Sequence, residues 1–136
     1  MSNTASMKQA VCQAIETERD RIVQLGEAIM DEPELGFKET RTAARVQEAF
    51  EMAGLPSETG LALTGVRAIF DSGRPGPTVA LMGELDALIV PDHPRCDKQT
   101  GAAHACGHNA QIAGLVGAAI GVAAADLAKQ IRGRVV

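Results

Sequence analysis

Residues 102–125 read AAHACGHNAQIAGLVGAAIGVAAA, in which a cysteine and two histidines are followed directly by a long apolar segment. Thiolate and imidazole bind borderline-soft divalent metals such as zinc well, and in an extended backbone Cys106 and His108 would point to the same side. Asn109 is a candidate helix cap, and the residues from Ala110 onward are predicted to form a helix whose N-terminal dipole favours thiolate at Cys106. A lone Cys-x-His pair fits a packed turn before a helix equally well, so this segment leaves both interpretations open.

The apolar segment from Ile112 to Ala125 carries no charged residue and contains the pattern Gly117-Ala-Ala-Ile-Gly121. Its 14 residues fall short of the roughly 18 that are needed to cross a bilayer. Its many small residues favour a buried helix packed closely against a sheet over a helix that dimerises in a membrane. We therefore expect no membrane partner.

The composition of the 136 residues limits the class of protein. The length fits one domain or part of one, and the net charge of −4, without a Lys/Arg stripe, argues against a nucleic-acid partner. The three cysteines (Cys12, Cys96 and Cys106) are irregularly spaced, which argues against a disulfide framework. We expect no secretory signal, because no basic region followed by an apolar one opens the sequence, and we expect a cytoplasmic protein.

Apolar residues at helical spacing predict an amphipathic helix over about residues 6–30, which Pro33 ends. A second helix is predicted from about Glu39, with Phe50 facing inward and Gly54 as its C-terminal stop. Each of these helices is expected to pack one apolar face on the core.

Two short runs, Val66–Phe70 and Thr78–Gly83, are rich in β-forming residues and flank a segment dense in turn residues. The second run is almost wholly apolar, as expected of a central strand that is covered on both faces. Residues 131–136 are predicted to start another strand. Together with the helices, these strands predict an α/β fold.

Two carboxylates, Glu84 and Asp86, follow the predicted central strand. They are two residues apart, so they lie on the same side if the strand continues. Ligands in open α/β sheets bind beyond the carboxyl ends of the strands, and we therefore expect both residues at the same rim of the sheet as Cys106 and His108. An aspartate beside a metal-binding histidine can orient its ring.

Three separated motifs resemble the M20 family of metallopeptidases and amidohydrolases, in the branch that cleaves N-acyl amino acids and related amides. They are Pro33–Glu39 (PELGFKE), Gly83–Leu88 (GELDAL) and His104–Asn109 (HACGHN). Their order and spacing agree with the family, except that the loop over 89–103 is longer. The resemblance implies a zinc-exopeptidase-like mixed sheet flanked by helices. It also implies that residues 1–136 are the N-terminal portion of a catalytic domain, without the lid/dimerisation domain and the C-terminal catalytic part.

The resemblance implies that Cys106 and His108 are ligands at a site for two divalent metal ions, zinc or manganese. It implies that Asp86 supports this site, and Asp86 is the catalytic position expected within the chain. Glu84 and Asn109 stand where many relatives have Asp, which leaves the subgroup undefined.

The remaining residues of the motifs are expected to have other roles. Pro33–Glu39 is interpreted as a structural segment that shapes the corner between two helices. His104 belongs to the third motif and is expected to pack or to form a hydrogen bond rather than to bind metal. His93 and Cys96 are expected to be solvated loop residues.

The chemistry that the resemblance implies is hydrolysis of a small-molecule amide, with metal ions that polarise the carbonyl and activate water. In relatives the general base is the first residue of a Glu-Glu pair after a strand that corresponds to Gly133–Val136. We therefore expect this chain to be inactive alone. We also expect it to form homo-oligomers, because an unpaired sheet edge at Val135-Val136 would favour self-association.

Two other interpretations stay open from the sequence. The first is a non-catalytic remnant that binds a metal or a partner through its exposed sheet edge. The second is a structural zinc module whose ligands are His93, Cys96, Cys106 and His108, because structural zinc sites usually have four protein ligands.

Overall fold

Three helices, six short strands, a fourth long helix and a last short strand follow one another in the computed structural model, which describes residues 3–136. The predicted α/β class is confirmed. The helices are α1 (Asn3–Thr17), α2 (Arg19–Asp31), α3 (Thr40–Met52) and α4 (His108–Ala124), with a short 3₁₀ helix at Leu127–Lys129. The strands are β1 (Ser57–Leu61), β2 (Gly65–Ala68), β3 (Phe70–Asp71), β4 (Thr78–Val79), β5 (Leu88–Ile89), β6 (Ala102–Ala103) and β7 (Arg134–Val135).

The predicted single helix over residues 6–30 is divided into α1 and α2 at Glu18. The main-chain N–H of Glu18 is shared between the carbonyls of Ala14, at 3.3 Å, and Ile15, at 3.1 Å, so the chain tightens locally. Ile15 and Ile22 keep a helical spacing on the two sides of the break, because both pack on α4. The apolar period therefore continues through the break and does not reveal it.

The apolar helix α4 packs against α1 and α2. A Cβ atom placed on Gly121 would lie 2.7 Å from a side-chain atom of Ile15, and one placed on Gly117 would lie 3.1 Å from Ile22. The two glycines thus allow helices to approach closely. The expected packing of this helix against strands is also present, because α4 contacts β3, but the small residues Gly117 and Gly121 face helices. Among the described residues, no helix is long and apolar enough to cross a membrane.

The core lies between α4 and the elements that follow α2. Ile29 of α2, Phe50 of α3, and Val116 and Ile120 of α4 are buried in one cluster. Helix α3 agrees with the helix predicted from Glu39, and Gly54 follows it with a positive φ, as a C-terminal stop requires.

The middle strand of the main sheet is β7, since the order is β3-β7-β4. Val135 pairs with Phe70 in the antiparallel direction and with Val79 in the parallel direction. The expected central strand Thr78–Gly83 is therefore wrong: only Thr78–Val79 is a strand, and within the described residues it pairs on one side alone. Its apolar side chains are exposed, with Met82 at 88%. A run of apolar residues predicts that their side chains are buried, but it does not identify the residues that bury them.

The strands β5 and β6 form an antiparallel pair, Leu88 with Ala103 and Ile89 with Ala102. This pairing brings together the two ends of the loop that the sequence predicts over residues 89–103. It also brings the residues just before β5 beside the residues just after β6, and these two segments carry the candidate functional side chains.

Candidate metal centre

His108 is held by the two carboxylate residues that precede β5. Its Nδ1 atom lies 2.9 Å from the main-chain oxygen of Asp86 and 3.1 Å from Asp86 Oδ1. Its Nε2 atom lies 3.0 Å from Glu84 Oε2. The structure thus brings Glu84, Asp86 and His108 together, as we expected, although the two acidic residues lie in the segment between β4 and β5 and not directly after a strand.

The contacts of the His108 ring give its two nitrogens different roles. When Nδ1 carries the proton, it donates to Asp86, and this fixes both the tautomer and the plane of the ring. Nε2 then has a free lone pair and faces the exposed carboxylate of Glu84. An imidazole that is oriented through one nitrogen is the usual arrangement of a histidine that binds a metal, and a cation between Nε2 and the Glu84 carboxylate would make their 3.0 Å approach favourable.

Cys106 is exposed in the turn between β6 and α4. The turn is closed by the main-chain N–H of Gly107, which donates to the carbonyl of His104 at 3.1 Å, and Gly107 has φ of 95°. The expected extended arrangement of Cys106 and His108 is therefore wrong, because His108 is already the first residue of α4. A left-handed residue separates the thiol from the imidazole, and glycine adopts this conformation without a Cβ penalty.

Asn109 is buried inside the first turn of α4 and does not cap it, so that prediction is also wrong. Gly107 occupies the cap position, and the N–H groups of Ala110 and Gln111 donate to its carbonyl. The Asn109 amide instead donates to the main-chain oxygen of Gly26 in α2 at 3.2 Å. This contact ties the start of α4 to the neighbouring helix.

Gln111 supports the site and was missed by the sequence reasoning. Its Oε1 atom accepts a hydrogen bond from the main-chain N–H of Glu84 at 2.8 Å, which holds that segment against α4. The available signal was its position three residues after His108, since residues i and i+3 lie on the same face of a helix.

His104 is buried, with 3% of its surface exposed, and neither of its ring nitrogens has a hydrogen-bond partner within residues 3–136. Burial lowers its pKa, the neighbouring His108 lowers it further, and Asp86 opposes the shift. The ring is therefore neutral near pH 7. Of the two roles expected for His104, the described residues show packing and no hydrogen bond.

The motif Pro33–Glu39 is structural, as expected. The hydrogen bonds through which it acts could not be predicted from the sequence. The buried Glu34 carboxylate accepts hydrogen bonds from the main-chain N–H groups of Arg41, at 3.2 Å, and Thr42, at 2.8 Å, at the start of α3. The main-chain oxygen of Glu34 accepts from the N–H of Ala87 at 2.7 Å. The motif thus fixes α3 and the residue next to Asp86 together.

Within the part of the chain that the structure describes, no three His, Cys, Asp or Glu side chains are placed to hold one ion. The structural zinc module built from His93, Cys96, Cys106 and His108 is therefore not supported. His93 Nδ1 accepts from the main-chain N–H of Arg95 at 3.1 Å, and Cys96 donates to the carbonyl of Pro91 at 3.0 Å. Both residues bond inside their own loop, and the expectation that Cys96 is a solvated loop residue is wrong, because its side chain is buried.

Comparison with known proteins gives relatives of one chemical class, although no family model matches the chain. The chain is 41% identical over 90 residues to YhaA of Bacillus subtilis (strain 168), which is named as an amidohydrolase, over 64% of this chain. It is 38% identical over 104 residues to thermostable carboxypeptidase 1 of Saccharolobus solfataricus, and 34% identical over 103 residues to the IAA-amino acid hydrolase ILR1-like 2 of Arabidopsis thaliana, each over 74% of this chain. It spans 23%, 26% and 23% of the lengths of these three relatives.

Solved structures agree with these sequence matches. The Bacillus subtilis YXEP protein, described as a dinuclear metal-binding peptidase from the M20 family, superposes with a TM-score of 0.72 and 25% sequence identity. The match covers 88% of this chain and 34% of that one. The sequence and structure matches together show that the chain belongs to the M20 family of metallopeptidases and amidohydrolases.

Proposed function

We propose that this chain contributes part of the active site of a metal-dependent hydrolase, which cleaves the amide bond of N-acyl amino acids or related small amides. The observation that carries the proposal is the His108 ring, whose Nδ1 is held by Asp86 while Nε2 faces outward beside Glu84. The exposed thiol of Cys106 lies two residues before it. An oriented imidazole next to an accessible thiol suits a divalent metal.

The names of the relatives support the reaction class. One is an amidohydrolase, one a carboxypeptidase and one a hydrolase of IAA-amino acids. A peptide bond and an N-acyl amino acid bond are both amides with an amino acid on one side. We infer that the substrate of this chain's protein belongs to the same class.

The residues present fit part of a metal site. Cys106 and His108 supply one sulfur and one nitrogen donor, the combination that favours zinc, and the nearby Glu84 carboxylate also suits manganese. The dinuclear structural relative supports two ions. Bound divalent ions would polarise the substrate carbonyl and lower the pKa of a water molecule.

The chain's own residues would act by positioning. Asp86 holds the His108 ring in one orientation, and the Glu34–Ala87 hydrogen bond fixes the backbone beside Asp86. Gln111 keeps the Glu84 segment against the start of α4. We assign neither Glu84 nor Asp86 as the general base, because both are already engaged with His108, and we propose that the described chain does not turn over substrate alone.

We also propose a cytoplasmic location. Cys12, Cys96 and Cys106 are all free, and free thiols persist in a reducing compartment.

Titration of the apo chain with Co²⁺ tests the metal site. We expect a thiolate-to-cobalt charge-transfer band in the near ultraviolet, which Cys106→Ser abolishes and His108→Ala weakens strongly. Cys96→Ser is the matched control, because its sulfur bonds within its own loop, and it should leave the band unchanged. Equal loss in Cys96→Ser and Cys106→Ser, or no band in the wild-type chain, would contradict the assignment.

A further inference from the structure

Cys96 and Lys98 form a close pair of nucleophilic side chains in the loop between β5 and β6, and the metal centre uses neither. The Lys98 Nζ atom donates to Cys96 Sγ at 3.4 Å. The thiol itself donates to the carbonyl oxygen of Pro91 at 3.0 Å. The cysteine is buried, with 9% of its surface exposed, and the lysine is exposed.

The loop holds the sulfur in place. The main-chain N–H of Cys96 donates to the carbonyl of His93 at 3.1 Å, and the N–H of Asp97 donates to the carbonyl of Ala102 at 2.8 Å. Arg95 ties the loop to α2 through Glu27 at 2.8 Å. Since the backbone on both sides of Cys96 is fixed, the flexible lysine stem is the part that moves when the two reactive atoms approach.

We propose that Cys96 and Lys98 are a modification site, at which hydrogen peroxide produces a covalent sulfur–nitrogen bond between the two side chains. In the first step Cys96 Sγ attacks one peroxide oxygen. The O–O bond breaks, the sulfur loses two electrons, and the thiol proton leaves with the other oxygen as water, which gives a sulfenic acid.

In the second step the neutral amine of Lys98 attacks the oxidised sulfur. An N–S bond forms and the S–O bond breaks, and the leaving hydroxide takes one proton from nitrogen as a second water. This is the condensation that sulfenic acids undergo with backbone nitrogen, here with a side-chain amine. One peroxide is consumed, and the protein loses two hydrogen atoms. Two equivalents of a small thiol reverse the reaction, giving back thiol and amine and forming one disulfide.

The position of the pair favours this product over further oxidation. Lys98 is already in contact with the sulfur, so its amine reaches a sulfenic acid at Cys96 before an external thiol or a second peroxide molecule does. The other two cysteines are exposed, and within residues 3–136 neither of their sulfurs has a hydrogen-bond partner. Among the described residues, neither Cys12 nor Cys106 therefore has an amine in contact with its sulfur, as Cys96 does.

The experiment uses the full chain carrying Cys12→Ser and Cys106→Ser, so that Cys96 is its only thiol and no intramolecular disulfide forms. The protein is treated with hydrogen peroxide, and the monomer is analysed by intact mass and by tryptic peptides. We expect a loss of about 2 Da, loss of cleavage after Lys98, and recovery of both after treatment with dithiothreitol.

Lys98→Arg in the same background is the matched variant, because it keeps a cation but presents a guanidinium that does not attack sulfur. We expect that this variant does not lose the mass of two hydrogen atoms and that it accumulates a sulfenic acid, which dimedone labels. Dimedone labelling of Cys96 to the same extent with and without the Lys98→Arg substitution would overturn the proposal. So would a Lys98 that remains fully cleavable by trypsin after peroxide.

Discussion

The Glu34 carboxylate lies 2.8 Å from the main-chain nitrogen of Thr42 and 3.0 Å from its hydroxyl, and so joins the segment between α2 and α3 to the first turn of α3. Burial alone would raise the pKa of Glu34, but the hydrogen bonds from Thr42 and Arg41 outweigh it, so the pKa lies below its ordinary value. The carboxylate supplies acceptors for N–H groups at the start of α3, which have no partner inside the helix.

The lowered pKa of Glu34 predicts a pH-dependent stability. A carboxyl group with a lower pKa in the folded chain stabilises it fully above the unfolded-state pKa, and this contribution is lost as the pH falls through the folded-state pKa. We expect Glu34→Gln to reduce the free energy of unfolding by about 1–3 kcal/mol at pH 7, with a smaller difference from wild type at pH 3. Urea unfolding followed by circular dichroism measures this. Glu51→Gln, which changes an exposed residue of α3, should show little effect at either pH. An equal loss at pH 7 and pH 3 for Glu34→Gln would contradict the argument.

The close contact between α4 and α1 predicts opposite effects at two glycines of the same helix. Gly121→Ala would place Cβ 2.7 Å from Ile15, and overpacking of this kind costs about 1–3 kcal/mol. Gly114→Ala meets no atom within 4 Å, so it should stabilise α4 by up to about 1 kcal/mol through helix propensity. Thermal unfolding of both variants tests this. If both substitutions stabilise the protein, α1 and α4 can move apart to accommodate the added methyl group, which would contradict the prediction.

The exposed apolar edge at β4 predicts self-association. At the edge that the sequence suggested, Val135 is paired on both sides, with Phe70 and with Val79. The outer strands of this sheet are β3 and β4, and β4 carries the exposed Val79. Unpaired edges and exposed apolar segments favour association. We expect oligomers in sedimentation velocity that Val79→Lys reduces. Val23→Lys on α2 is the control, since Val23 and Val79 are equally exposed, at 55% and 54%. A wild-type chain that is monomeric at all concentrations, or an equal effect of Val23→Lys, would contradict this prediction.

The limited ligand set predicts that the isolated chain does not hydrolyse N-acetyl or N-benzoyl amino acids with added Zn²⁺ or Mn²⁺. A missing general base alone costs about 10²–10⁴-fold in rate, and the described residues offer few ligands for the ions. Release of the free amino acid, followed by mass spectrometry, should stay at the level of the buffer with metal. Metal-dependent turnover that purifies with the chain and disappears in Cys106→Ser would show that the chain completes its own site.

The meeting of Asp86 with His108 was predictable from the recognisable motifs that carry the two residues. The argument from the end of a strand contributed less, because β4 already ends at Val79. The turn at Cys106 was not, since a Cys-x-His spacing fits both an extended segment and a helix start. Only the positive φ of Gly107 separates the two conformations. The break between α1 and α2 at Glu18 could not be predicted either, because the helical spacing of apolar residues continues through it.

The order of the strands depends on contacts that no local pattern records. The middle position of β7 requires the chain at Gly133 to pass directly against Gly76 and Pro77, where a Cβ atom would collide with the backbone. Each of these glycines, taken alone, looks like an ordinary turn residue. Strand composition indicated that residues 131–136 form a strand, but pairing with both Phe70 and Val79 is a property of the assembled sheet.

The pairing of Leu88 with Ala103 separates the loop over residues 90–101 from Asp86 and His108. Residues 90–101 leave the sheet and return to it at neighbouring points, while Asp86 and His108 lie on the other side of this pairing. Insertions or replacements within the loop therefore need not move the two residues that face each other at the candidate metal centre. The loop is a place where homologous proteins can diverge in length and surface chemistry, and where a protein engineer can graft a new recognition segment without redesigning the rest of the fold.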